Sequence, residues 1–383
     1  MQHTLPPSAA LQTVINRANT LAHSSRTFSV TFNSATPPSH NPQDYTSTGP
    51  YWWPNPNTPN GLPWVRKDGV VNRLVRGPQS DSAELSQFIT AMATLATAYA
   101  DSKKPLYAQR AYQLINVFLL DERTGMNPNM RYAQAIPGIT DGRGIGIIES
   151  RKFITLLQAH EVLLSSEYYR TRVGDGVNRW VAELLTWLKN SPNGIDESRT
   201  KNNHASFYDY QLAYFAHVTG SQTTFNDVLA AVHSKRIATQ INPGGKQPHE
   251  LARTRPYHYS VFNLEAFWGL AVIAKQAGQL THVLAPQQNA APLLVQALDY
   301  INQQQSALAS KGSDTSQAFG LESLIRVNLI AGQLYHHRFT EYATALMQQH
   351  HLYDCLLAFP VALPQPHKTH RLTNDSGDGL CHL

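Results

Sequence analysis

A chain of 383 residues, 42% hydrophobic and 15% charged, can bury a sizeable core, which excludes an intrinsically disordered segment. Its formal charge of +5 is scattered, with no run of basic residues. A nucleic-acid partner is therefore not expected, and an anionic substrate or a mildly basic surface accounts better for the balance. Residues 1–23 hold no apolar signal core and no stretch approaches membrane-spanning length. No membrane partner is expected, and the location expected is periplasmic or secreted, with any export signal absent from this sequence.

In chain order, a first helix is predicted over residues 7–23. Residues 34–80 follow, dominated by Pro, Asn, Ser, Thr and Gly yet carrying Tyr51, Trp52, Trp53 and Trp64. Long loops without periodic structure are uncommon in compact domains and are often functional. These rings either pin the loop onto the body or offer faces for sugar C–H bonds. From Asp81 the pattern becomes helical: Leu85, Phe88, Ile89, Met92, Leu95 and Ala96 mark one buried face over 82–100, with Asp81 or Ser82 as N-cap. Further helices are predicted over 105–120, 149–164, 166–189, 203–218, 224–238, 261–278, 292–309, 321–334 and 339–350. Turn signals such as Ser191-Pro192-Asn193-Gly194 and Asn242-Pro243-Gly244-Gly245 separate them. Strand-like alternation is scarce and no motif repeats at a fixed period. The expectation is one all-α domain over residues 1–383, monomeric, an incomplete (α/α) toroid of antiparallel helix pairs with long loops gathered over its cleft. Cys355 and Cys381 are the only cysteines, able to form one bridge or to stay as thiols.

Two stretches concentrate chemistry. Lys201-Asn202-Asn203-His204 opens the helix predicted from 203. One Asn suffices to cap it, so two amides and an imidazole at a helix N-terminus point to an anion. Glu250-Leu251-Ala252-Arg253-Thr254-Arg255-Pro256-Tyr257-His258-Tyr259-Ser260 lies about fifty residues on. Pro256 disfavours helix at Arg255, so an extended entry is predicted, with Arg253, Arg255, Tyr257 and Tyr259 on one side and His258 on the other. Guanidinium, imidazole and amide suit a sugar carboxylate, and a phenol beside them can move a proton. The 17 His show no metal-ligand pattern with a partner acid; neither a metal nor a cofactor is expected.

The Asn203-His204 pair, followed by an Arg and a Tyr-rich helix entry, resembles the alginate lyase superfamily. Gly49-Pro50-Tyr51-Trp52-Trp53-Pro54, with Gly61-Leu62-Pro63-Trp64-Val65-Arg66-Lys67-Asp68-Gly69, is similar to that family's N-terminal signature. The resemblance covers roughly residues 45–280 and implies an (α/α) toroid performing β-elimination on 1,4-linked uronic-acid polymers, alginate or glucuronan. It further implies that Asn203, His204 and Arg253 neutralise the C6 carboxylate, while Tyr259 takes the C5 proton and protonates the C4 oxygen. Tyr257 is the rival phenol and Arg255 the rival cation. Asn202, His258, Tyr51, Trp52, Trp53, Trp64, Arg66 and Arg143 are candidates for contacts to flanking sugars. The polymannuronate-specific branch, polysaccharide lyase family 5, carries its Arg seven residues before the Tyr, where this chain has Ala252. The sequence looks closer to polysaccharide lyase family 38. A Tyr base also requires neighbouring positive charge to lower its pKa from ~10.

Two other classes remain to be weighed. A glycoside hydrolase on the same toroid needs two carboxylates across the bond, and Asp196, Glu197, Asp209, Glu250 and Glu265 are available. A non-catalytic acidic-glycan-binding protein would need the Trp-rich loop and cations but not Tyr259.

Overall fold

The computed structural model describes residues 7–33, 35–77, 80–310, 320–350 and 352; Cys355 and Cys381 lie outside these. Helices carry the structure: α1 (Pro7–His23), α2 (Asp81–Ser102), α3 (Pro105–Ile115), α4 (Lys152–Leu163), α5 (Glu167–Val173), α6 (Gly176–Asn190), α7 (Pro192–Ser198) and α8 (Asn203–Thr219). They continue with α9 (Gln222–Val232), α10 (Ala238–Gln240), α11 (Pro248–Leu251), α12 (Pro256–Gln276), α13 (Leu293–Ser310), α14 (Leu321–Leu334) and α15 (Arg338–His350). α8 and α12 bury residues around most of their circumference, including Phe207, Leu212 and Phe215 on one and Leu264, Phe267, Trp268 and Leu270 on the other. A helix apolar all round must be surrounded. α8 is flanked by α6, α9 and α12, and α12 by α11, α13 and α14. α6 instead buries one stripe, Val177, Trp180, Val181, Leu184, Leu185 and Leu188, as an outer helix should. The result is the expected incomplete (α/α) toroid, with a continuous core from Ala18 to Met347.

Three expectations need correction. The single helix over 166–189 is two, because the chain turns at Gly174, whose φ of 46° lies in the left-handed region. The cap of α2 is Ser80, whose Oγ accepts from Ala83 N at 3.3 Å, not Asp81 or Ser82. Asp81 is buried instead, where it accepts from Thr46 N at 2.7 Å and from the Asn33 amide. Burial raises its carboxyl to about 6. The third concerns α12: Pro256 is its first residue rather than part of an extended entry. Proline forbids helix in the residue before it, and Arg255 is indeed non-helical, but the ring's own φ suits the first helical position.

The loop over 34–80 is held by short strands. Thr46–Thr48 (β1) pairs in parallel with Tyr132–Ala135 (β4), and Trp52–Trp53 (β2) pairs antiparallel with Val65–Arg66 (β3). Underneath, Glu149 takes hydrogen bonds from Tyr45 Oη at 2.6 Å, Ser47 Oγ at 2.7 Å and Arg76 Nη2 at 2.5 Å. Burial opposes ionisation of Glu149, but Arg76 and these donors outweigh it and hold the carboxyl low. The loop is thus anchored by a buried charge pair as well as by its rings.

Candidate active site

α4, α8, α12 and α14 line one cavity of about 1100 Å³, roofed by the loop residues Tyr51, Trp52 and Arg66. The first turns of α8 and α12 carry Asn203, His204, His258 and Tyr259 into it, at the positive ends of the two helix dipoles, which favours an anion there. Of the sequence candidates, Asn202, Asn203, His204, Arg253, His258, Tyr259, Tyr51, Trp52, Arg66 and Arg143 line this cavity. Arg255, Tyr257, Trp53 and Trp64 do not. Because α12 starts at Pro256, residues 258 and 259 both reach the cavity, while the Tyr257 hydroxyl donates to Gln304 Oε1 at 3.3 Å. Trp53 pins the loop, its Nε1 donating to Val70 O at 3.1 Å, and Lys67 Nζ lies 5.2 Å from its ring centroid.

Tyr259 sits in the first turn of α12. Its hydroxyl lies 2.6 Å from that of Tyr51, and the guanidinium carbon of Arg253 is 3.9 Å from its ring centroid. Arg253 is held from its other side by Asp68, at 3.2 Å, which also accepts from Arg66 at 2.6 Å and from Thr254. Burial works to raise the Asp68 carboxyl, but the two guanidiniums prevail and lower it. The expected lowering of the Tyr259 pKa is not met. Burial, followed by the Tyr51 hydrogen bond, raises the phenol, and Arg253 only partly offsets this. A cation stacked on a ring face acts on the π cloud from the side, while loss of water acts on the phenolate oxygen directly.

Asn203 and His204 each have a buried carboxylate behind them. Asn202 caps α8, its Oδ1 accepting from His204 N at 3.2 Å. Glu250, from α11, accepts from Asn203 N at 2.6 Å and from Asn203 Nδ2 at 2.8 Å. Burial raises the Glu250 carboxyl against those bonds. An amide nitrogen carries two hydrogens, so one N–H of Asn203 is spent on Glu250 and one is left for a ligand. Glu197, from α7, is fully enclosed and lies 2.8 Å from His204 Nδ1. Neither backing acid was picked out from the sequence for this role. Glu250, three residues before Arg253, and Glu197, seven before His204, gave no periodic signal, because each comes from a separate short helix.

Another wall is built from loops. Arg143 Nε donates to Gln134 O at 2.9 Å and its Nη2 to Gln134 Oε1 at 3.1 Å, with Trp52 stacked 5.8 Å away. Gln134 holds this grip with φ 53°, a left-handed conformation that costs energy in a non-glycine residue. Burial lowers Arg143 to about 10. Gly49 makes the packing possible, since a Cβ there would lie 2.6 Å from Trp52 and 2.7 Å from Arg143. Deeper in, Arg151 lies 5.7 and 5.0 Å from the Phe207 and Phe262 ring centroids, and Lys152 Nζ donates to Ser86 Oγ at 2.5 Å. Burial lowers Lys152 to about 8. Tyr210 and Tyr214, further along α8, also line the cavity.

Four of the five acids that a hydrolase would use are held by partners, and Asp196 does not line the cavity. Asp209 forms a buried pair with Arg236 at 2.7 Å, and Glu265 pairs with Arg326 at 2.6 Å. Glu197 and Glu250 stand behind His204 and Asn203 rather than across the cavity from each other.

The model of the alginate lyase family matches residues 29–307. A solved alginate lyase from Bacteroides ovatus is 30% identical, with a TM-score of 0.84, covering 92% of this chain and 93% of that one. Alginate lyase A1-III from Sphingomonas species A1 is 16% identical with a TM-score of 0.49, covering 85% and 89%. No curated protein sequence matches. Fold and match define the class, a polysaccharide lyase on an incomplete (α/α) toroid. The chain belongs to the alginate lyase family.

Proposed function

We propose that this protein cleaves alginate, with glucuronan as the second substrate to test, by β-elimination in the cavity under Tyr51 and Trp52. The reading rests chiefly on the convergence of Tyr259, Arg253, Asn203 and His204 on one cavity at helix N-termini. The bound sugar's C6 carboxylate lies against His204, the free N–H of Asn203 and Arg253. Its charge is thereby offset, and the enolate that forms when the C5 proton leaves is stabilised in place. Tyr259 removes that proton and returns it to the C4 oxygen as the glycosidic bond breaks. Tyr51 orients the phenol for this exchange, its hydroxyl accepting from that of Tyr259 before the proton is transferred. The raised Tyr259 phenol makes turnover increase toward alkaline pH, as the base form becomes populated. Trp52, Arg66 and Arg143 contact flanking sugars.

Mannuronate and glucuronate chains present the C5 proton and the leaving oxygen on one face, which suits a single phenol acting twice. The test is the ultraviolet absorbance of the unsaturated product across polymannuronate, polyguluronate, glucuronan and a neutral glucan. Absorbance growing with one or more uronans and not with glucan supports the reading. No absorbance change with any uronan overturns it.

A further inference from the structure

We infer that the Glu197–His204 pair takes up one proton when a uronate binds, turning the imidazole Nε2 toward the ligand's carboxylate as an N–H donor. This rests on the reading that His204 faces that carboxylate. Glu197 is fully enclosed; its Oε1 meets His204 Nδ1 at 2.8 Å and its Oε2 has no hydrogen-bond partner among the described residues. A buried carboxylate with a single donor depends on that donor for its charge. Ionised Glu197 therefore requires a hydrogen on Nδ1, and in a neutral imidazole Nε2 is then a bare lone pair. A lone pair repels a carboxylate. One more proton on the pair changes this, whether it rests on the ring or on Glu197, since both placements put a hydrogen on Nε2. The proton comes from solvent, and the pair passes from one negative charge to none.

Other charged groups share the setting. Glu250 acts on His204 from α11, favouring the added proton by its charge when ionised. Arg143 lies close enough for the Glu197 charge to act on it. Arg253, Lys201, His249 and Tyr259 line the same cavity. The arriving carboxylate brings a negative charge to the Nε2 side of the ring, and this drives the uptake.

The direct test titrates the Tyr259→Phe variant with a mannuronate tetrasaccharide by calorimetry, in buffers of different ionisation enthalpy. At about pH 8.5, we expect uptake approaching one proton per ligand bound. Adding Glu197→Gln should bring the uptake close to zero, because a Gln amide can donate to Nδ1 and leave Nε2–H in a neutral pair. In the wild type, linkage makes KM rise by about tenfold per pH unit above neutrality, a slope that Glu197→Gln flattens. Binding without proton uptake, or uptake that persists with Glu197→Gln, overturns the inference. Should the Gln variant not fold, the Tyr259→Phe titration alone decides; should that variant bind too weakly, the wild-type KM slope does. An enzyme that makes unsaturated product without proton-linked binding sinks this inference only, whereas absence of product from every uronan sinks the proposed function.

Discussion

The two walls of the cavity are built on opposite principles. On the helix wall, His204 and Asn203 extend from the first turn of α8 and are steadied from behind by the buried carboxylates of Glu197 and Glu250. On the loop wall, Tyr51 and Trp52 are placed by short strands, Arg143 by hydrogen bonds to the neutral oxygens of a strained Gln134, and Arg66 by the partly exposed Asp68. Groups that must hold a geometry within a fraction of an ångström belong on rigid elements with a supporting layer; groups that only grip a chain can ride on loops. The comparison assigns rate to the helix wall and affinity to the loop wall.

Mutations can break or sharpen that division. The largest effect should come from Tyr259→Phe, with kcat reduced by about 10³-fold or more and substrate affinity within a few-fold, because only the proton-transfer oxygen is lost. Turnover near the wild-type rate would exclude this phenol as the base. His204→Ala and Asn203→Ala should each lower kcat/KM by about 10²-fold, the usual loss for one donor aimed at developing charge; an unchanged kcat/KM would remove that residue from the clamp. Trp52→Ala and Arg143→Ala should raise KM by about tenfold with kcat little altered, in line with one stacking or charged contact. If kcat fell instead, the loop wall would be shaping the reacting sugar. The smallest effect is Tyr51→Phe. It removes the Tyr51 hydrogen bond, which after burial is the next largest influence raising the Tyr259 phenol, so that group should titrate lower. The rising limb of kcat against pH then moves to lower pH, with rates at the plateau changed a few-fold at most; a limb that stays fixed would separate Tyr51 from the base.

The helices were legible because burial imposes a three-and-four spacing on Leu85, Phe88, Met92 and Leu95, whatever the neighbours do. The break at Gly174 was not, since apolar spacing runs through both sides of it. Asn203, His204 and Tyr259 could be named because helix entries rich in amide, imidazole and phenol exceed what capping needs. The face assigned to Tyr257 and Arg255 failed with the period chosen: an alternation of two was applied where a helical turn had already begun at Pro256. What stayed out of reach was pairing between distant segments. Asp68 meeting Arg253, Glu197 meeting His204 and Tyr51 meeting Tyr259 join residues whose separations follow from the toroid's closure and from no local pattern.

Asp68 grips Arg66 beside it, and Arg253 and Thr254 at the entry to α12, with part of its carboxylate open to water. The roof is therefore latched to the segment just before the phenol's helix by charge, while Trp53 and the Glu149 cluster root it from below. Mobile ions weaken exposed pairs of this kind over a range of about 10 Å at 0.1 M. Brine should slacken the latch and dull the cavity's attraction for a polyanion at once, leaving the helical frame as firm as before.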